Sequence, residues 1–213
     1  MEQVIRDYLL EKPEIIMEAI AKLREKKQLG EQQADRQAVA SNADVIYRDP
    51  TSPVGGNPAG DVTIVEFFDY RCGVCRRVHP IVKELVDGDK NIRRVYKEWP
   101  ILGPNSVIAA SAAIAAQEQG KYFELHTALM QSRTSLEEPS IIRIAATVGL
   151  DVDRLRKDMG SAETNAILQR NYELAEKLKL NGTPSFLIGD RIIRGGQDLE
   201  SMRAIVAQIR EKK

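Results

Sequence analysis

The two cysteines of this 213-residue chain stand three positions apart, as Cys72-Gly73-Val74-Cys75, directly after the apolar run Val62–Phe68 (VTIVEFF). β-Branched and aromatic residues in so unbroken a run read as a central strand covered on both faces. After Cys75, the residues Val78, Ile81, Val82, Leu85 and Val86 recur at helical spacing up to Asp87-Gly88, and residues 92–99 read as a second strand. Strand, helix, strand of this length is a βαβ unit. The cysteines therefore sit where a buried strand hands over to a helix. There the first sulfur meets unpaired amides and the positive end of the helix dipole, both of which favour thiolate. On this reading Cys72 is the nucleophile, and Cys75, one turn further in, is the shielded thiol that resolves a mixed disulfide.

Other uses of the pair fit less well. A zinc site needs four ligands, and beyond the two cysteines the chain offers His79 and His126, far apart in sequence, so no metal is expected. A purely structural disulfide over three residues closes almost no loop and would stabilise little. The expected working group is a redox-active Cys72–Cys75 disulfide, with no other cofactor. Thirty-one basic residues balance thirty-one acidic ones and aromatics are 5%, so the electropositive footprint of a nucleic-acid binder is missing. The longest apolar stretches, 106–116 and 141–150, are too short to span a bilayer. Residues 1–20 lack the basic start, apolar centre and cleavage site of an export signal, so location must be argued from elsewhere.

Before the cysteines, residues 2–29 carry apolar side chains at helical spacing in two blocks divided by Pro13. This predicts a helix over 2–11 and another over 13–29 ending near Gly30. Two such helices bury too little alone, so their apolar faces must meet another copy or the main domain. Residues 31–42 are polar and alanine-rich and suit either a marginal helix or a flexible connector, read here as a linker over 31–44. Residues 44–47 suit a short strand, and 49–60, with three prolines, a loop. After a loop over 100–105 the pattern is helical from 106 to 180, broken near Gly120, Glu138-Pro139, Gly149 and Gly160. Residues 185–188 and 192–194 flank Gly189-Asp190-Arg191 as a hairpin, and 199–209 form a last amphipathic helix.

The segments DPTSPVGGNPAGDVTIVEFFDYRCGVC, EWPILGPNS, KYFELHTALM and NGTPSFLIGDRIIRGGQDLE make the chain resemble the DsbA-like thioredoxin-fold proteins over roughly residues 45–210. The N-terminal block IRDYLLEKPEIIMEAIAKL is similar to the start of their ScsC-like oligomeric members. The resemblance implies an α/β thioredoxin fold with an all-helical subdomain inserted at about 104–180. It divides the chain into an oligomerisation segment (1–30), a linker (31–44) and a catalytic domain (45–213). It further implies that Pro184 is cis and faces the cysteines, that the backbone beside it pairs with an extended client, and that Thr183 abuts Cys72. Thr183 and Pro184 are then substrate-binding residues, with the Thr183 hydroxyl within reach of the sulfur.

Strongly oxidising members of that family carry Pro-His between the cysteines, whereas this chain carries Gly73-Val74 and so lacks the imidazole that stabilises their thiolate. Arg71, Arg76 and Arg77 could supply some positive field instead. The expected potential lies below the roughly −120 mV of DsbA, nearer the roughly −180 mV of eukaryotic isomerase. Glu66, on the apolar strand where the family carries a buried acid, is either a salt-bridged structural group, with Lys97 as a possible partner, or a proton relay for Cys75. His79 is expected on the helix surface, His126 packed in the helical insertion, and Trp99 and Phe186 in the core. The resemblance points to a periplasmic protein disulfide isomerase or reductase. Its partners would be misfolded disulfide-containing proteins and a membrane thiol reductase of the DsbD/ScsB type, and residues 1–30 would join it as a homotrimer. The rival readings are a dithiol oxidase and a client-holding or copper-binding chaperone.

Overall fold

The apolar run at Val62–Phe68 forms strand β2 at the centre of a five-stranded sheet, in the computed structural model, which describes residues 2–211. Met1 of the N-terminal segment and residues 212–213 of the catalytic segment lie outside the described residues. Strand β1 (Val54–Gly56) precedes β2, helix α4 (Gly73–Gly88) crosses over to β3 (Ile92–Glu98), and β4 (Ser185–Ile188) and β5 (Arg191–Arg194) form the closing hairpin. The spatial order is β1-β3-β2-β4-β5, with β2 parallel to β3 and every other pairing antiparallel. Between β3 and β4 lie five helices, α5 (Pro104–Gln117), α6 (Tyr122–Gln131), α7 (Glu138–Thr147), α8 (Val152–Met159) and α9 (Ala162–Lys177), and α10 (Leu199–Arg210) ends the fold. Ahead of the sheet run α1 (Glu2–Glu11), α2 (Glu14–Ser41) and α3 (Ala43–Tyr47).

Side chains of β2 alternate between two faces. Val62 and Ile64 pack with Val78 and Val82 of α4 and Met202 and Val206 of α10, while Phe68, at the end of the same face, joins the core of the helical insertion. Val65 and Phe67 face the other way, against Val39, Ile46, Leu174 and Trp99. Trp99 and Phe186 are core residues, as expected.

The same alternation settles the partner of Glu66. In the parallel pair, Glu66 stands opposite Tyr96 and Phe67 opposite Lys97, so Lys97 points to the face away from Glu66. Glu66 is bonded instead to Arg94, two positions back along β3 on its own face, at 2.6 Å. Lys97, fully buried, reaches Asp49 at 2.8 Å and the Val45 carbonyl at 3.0 Å. The expected Glu66–Lys97 pairing is therefore replaced by two separate buried ion pairs, one on each face.

The N-terminal region departs from expectation in two places. Helix α2 does not stop near Gly30 but runs on to Ser41, because one exposed glycine costs a helix only about 1 kcal/mol. Residues 31–41 are thus helical, the first of the two alternatives that composition left open. Their last turns are held by the catalytic domain: Val39 is buried, Asp35 accepts two bonds from Arg194 at 2.8 and 2.9 Å, and Arg36 pairs with Asp190. Residues 44–47 are a turn of helix rather than a strand, tied down by buried Ile46 and by the Tyr47 hydroxyl donating to the Gly189 carbonyl. By contrast, Val4, Ile5, Leu10, Met17 and Leu23 of α1 and α2 are exposed. Among the described residues no helix is long and apolar enough to cross a membrane.

His79 is not on the surface. It is 4% exposed on α4, with its ring centroid 5.2 Å from that of His126 on α6, and the ring of His126 is packed among Phe68, Tyr70, Tyr96 and Tyr122. Burial, followed by the charges of Arg94 and Lys83, pushes the His79 pKa down to about 4, and burial pushes His126 well down too. The unfolded chain takes up these protons near pH 6.5 and the folded one does not. Between pH 6.5 and about 4 the unfolded state therefore binds more protons, and stability falls with pH. Urea midpoints measured across this window should decline, and His79→Phe should make the decline shallower; an unchanged slope would place the acid sensitivity elsewhere.

Candidate active site

Strand β2 ends at Phe68, and the turn Asp69-Tyr70-Arg71 carries the chain to Cys72, the N-cap of α4, whose backbone is extended (φ −72°, ψ 114°). That conformation lets the side chain of an N-cap residue turn back onto the first amides of its helix. The sulfur of Cys72 accepts from the Cys75 amide at 3.5 Å. The two thiols are free, Cys72 being 8% exposed and Cys75 fully buried. Chain topology brings a third element to the same spot: the peptide bond Thr183–Pro184, which is cis, precedes β4, and the Thr183 carbonyl lies 3.2 Å from the Cys72 sulfur. The residues singled out as Cys72, Gly73, Val74, Cys75, Thr183 and Pro184 are thus gathered at one end of the sheet.

The two sulfurs are made unequal. A hydrogen bond from the Cys75 thiol is the strongest influence on Cys72. With the Thr183 hydroxyl and the amides of Cys75 and Val74 also donating, it outweighs burial and brings the Cys72 pKa down to about 5. Cys75 is pushed far up, by donating that bond to Cys72, by burial, and to a lesser degree by the negative charges of Cys72 and Glu66. The arginines play a different part from the one expected. Arg71 donates to the Leu102 carbonyl at 2.7 Å and Arg76 to the Met130 carbonyl at 3.1 Å, so both guanidinium groups are engaged by loop and helix-end carbonyls. Hydrogen bonding to the anion, rather than a cationic field, is what stabilises the thiolate.

Glu66 lies behind this site, 1% exposed at its side chain and held by Arg94. One of its oxygens, Oε1, is buried without a hydrogen-bond partner. It is a salt-bridged group, the first of the two alternatives for it, with Arg94 rather than Lys97 as its partner, and its charge also reaches Cys75. Two positions matter here that the sequence did not reveal. Gly196 packs so closely that a Cβ there would stand 2.9 Å from Val74 Cγ1 and 2.8 Å from Val78 Cγ1, which fixes the residue between the cysteines from the far side of the chain. Asp69 joins the cysteine turn to the loop after β3 through bonds to the amides of Ile101 and Leu102. The only sequence hint of the latter was an acidic residue placed between a buried strand and the cysteines.

A thiol that ionises near pH 5 is almost wholly thiolate at neutral pH and reacts accordingly. Alkylation of reduced protein by iodoacetamide should follow a midpoint near pH 5. Cys75→Ala, which removes the first donor, should slow alkylation of Cys72 at pH 6 about tenfold. Cys75→Ser, which keeps a donor, should slow it less. A Cys75→Ala variant alkylated as fast at pH 6 as the unsubstituted protein would show that the Cys75 side chain does not hold the thiolate.

The family model described as thioredoxin matches residues 48–208, and the one described as the N-terminal domain of copper resistance protein ScsC matches residues 1–28. Among solved structures, a thioredoxin-like oxidoreductase from Silicibacter pomeroyi is 47% identical, covering 79% of this chain and 97% of that one with a TM-score of 0.77. ScsC of Proteus mirabilis in a transitional conformation is 31% identical and covers 100% of this chain and 94% of its own, with a TM-score of 0.76. Among curated proteins, Na(+)/H(+) antiporter NhaA 3 of Salinispora tropica is 30% identical over 155 residues, which are 72% of this chain and 24% of that protein. The chain therefore spans about a quarter of the length of that relative.

Proposed function

Because the chain belongs to the thioredoxin family and opens with a segment matching the ScsC N-terminal domain, we propose that it is a thiol-disulfide oxidoreductase acting as a protein disulfide isomerase and reductase on exported proteins. The observation that carries the reading is the unequal pair: a thiolate at Cys72, reachable from outside, backed by a buried and protonated Cys75. The Cys72 thiolate attacks one sulfur of a client disulfide, forming a Cys72–client bond, and the other client sulfur leaves as thiolate and takes a proton from solvent. In isomerisation a second client thiolate attacks the mixed disulfide, releases Cys72 unchanged and forms a new client disulfide with no net redox change. In reduction Cys75 loses its proton and attacks Cys72. The client leaves as a dithiol, Cys72 and Cys75 are left joined as a disulfide, and a thiol donor supplies the two electrons and two protons that return the pair to the dithiol.

Thr183 and Pro184 are the substrate platform in this proposal, with Glu66, Gly73 and Val74 tuning the thiols. The donor is a membrane thiol reductase of the DsbD/ScsB type, and the location is the periplasm. The exposed apolar residues of α1 and α2 support assembly of several copies, for which a homotrimer is proposed. Copies held together present several thiolates to one client and raise the effective concentration for repeated attack. The low pKa of Cys72 favours a second reading, the dithiol oxidase, because a stabilised thiolate makes the corresponding disulfide more oxidising.

Recovery of activity from scrambled, oxidised ribonuclease tests the proposal. The full chain should unscramble it, and Cys72→Ser should lower the rate by about a thousandfold or more. Ile16→Glu with Ile20→Glu, both at exposed positions of α2, should yield monomers by light scattering and lose unscrambling while still reducing a small disulfide peptide. Fast oxidation of a reduced peptide with no unscrambling by any form would identify an oxidase.

A further inference from the structure

A second hollow lies on the α4 side of the sheet, away from the cysteines. It is a cavity of about 700 Å³ between the edge strand β1, the far half of α4 and the start of α6, a volume that takes a whole small ligand. Lys83, which lines it, stands eleven positions after Cys72, roughly 16 Å along the helix at about 1.5 Å per residue. The rings of Tyr96 and Phe123, with centroids 5.5 Å apart, give the cavity an apolar wall, and Phe123 remains 42% exposed. Gly55 of β1 lets the strand pass close to these rings. A Cβ there would stand 3.1 Å from the Tyr96 hydroxyl and 3.4 Å from Phe123 Cε1, crowding both and narrowing the cavity.

The remaining lining is basic or polar. Arg94 spends Nη2 on Glu66, and its Nε is buried without a partner, as are both ring nitrogens of His79 and Nε2 of His126. These three side chains line the cavity and are each more than nine-tenths buried. Buried polar atoms are nearly always satisfied, so orphans gathered on three residues of one cavity call for an explanation. Asp87 is held below the usual carboxylate range, by its bond from Lys83 first and also by the charges of Lys90 and Arg94, so three cations share this end of the cavity. Asp87 matches Lys83 and Glu66 matches Arg94. Lys90 is the cation left over: among the described residues no carboxylate lies within bonding distance of it. The geometry points to a binding site for a small organic acid with an apolar body, its carboxylate held at Lys90 and Lys83 and its body laid against Phe123 and Tyr96. One unmatched lysine suits a single negative charge, hence a carboxylate rather than a doubly charged phosphate. A neutral ligand would leave that lysine unmatched, and a bare anion would leave the rings wet. The inference is independent of the reading of the thiols, since no lining residue belongs to the cysteine turn.

Calorimetric titration of the reduced, full-length protein with 6-phenylhexanoate tests the site, with 6-phenylhexanol and hexanoate as probes that each lack one half of the ligand. Phenylhexanoate should bind about tenfold more tightly than either. Lys90→Gln should weaken phenylhexanoate about tenfold and leave phenylhexanol unchanged, whereas Phe123→Ser should weaken both. Both substitutions fall at exposed positions, and the thermal unfolding of each variant without ligand checks that it folds. No binding of phenylhexanoate at millimolar concentration, or equal binding of phenylhexanol, overturns the proposal. So does an affinity that survives both substitutions, which would place the acid elsewhere, on the exposed apolar residues of α1 and α2. Tighter binding of an acetylated tetrapeptide ending in phenylalanine would overturn the small-acid assignment in favour of the end of a protein chain.

Discussion

The hydrogen bonds that Cys75 gives to Cys72 are the interaction on which the rest of the site depends. They exist because the chain turns from the end of β2 into α4 with Cys72 at the N-cap, so that its sulfur folds back over the first turn. An anion at that position is bonded by helix amides and favoured by the helix dipole at once. The cost of the arrangement falls on Cys75, which must stay protonated in an apolar setting to remain a donor. One sulfur is thereby ready to attack and the other is held in reserve. The neighbouring elements keep this turn in place: Asp69 through backbone and side chain, Gly196 by admitting Val74, and Thr183 by adding a hydroxyl to the thiolate.

Beneath the site, buried charge is divided between the two faces of the sheet. Glu66 and Arg94 occupy the α4 face, where the carboxylate charge reaches Cys75, and Lys97 and Asp49 occupy the other, where the lysine also bonds the carbonyl of Val45 in α3. Buried pairs of this kind contribute little net stability, but removal of one partner leaves an uncompensated charge at a cost of about 3–5 kcal/mol. They act here as registers. Lys97 anchors the chain between the N-terminal helices and the sheet, and Arg194 and Asp190 bind the end of α2 to the closing hairpin. The N-terminal helices are thus joined to the domain by ion pairs at one end and present exposed apolar residues towards the other.

Much of this was legible in the chain, and the reasons for the exceptions are local. The run at Val62–Phe68 and the helical spacing after Cys75 define β2 and α4 because both elements bury regular stripes of apolar side chains. Residues 44–47 are too few to show a period, and their helical turn is imposed by contacts with Lys97 and Gly189 far along the chain. Gly30 reads as a stop, but a glycine ends a helix only where the backbone takes the left-handed turn, which this one does not. His79 lies beside the stripe that faces the sheet and is buried by α6, an element that begins only at Tyr122 and whose placement no local pattern encodes. The partner of Glu66 followed from sheet register, and the role of Asp69 from bonds spanning more than 30 positions.

The inequality of the two sulfurs is best tested by labelling both cysteines with carbon-13 at Cβ and following each resonance of the reduced protein from pH 3 to pH 9. The account predicts that Cys72 titrates near pH 5 and that Cys75 does not move across the range. Two sulfurs titrating together near the pKa of an ordinary thiol, about 8.5, would contradict it, because the turn would then impose no order on the pair.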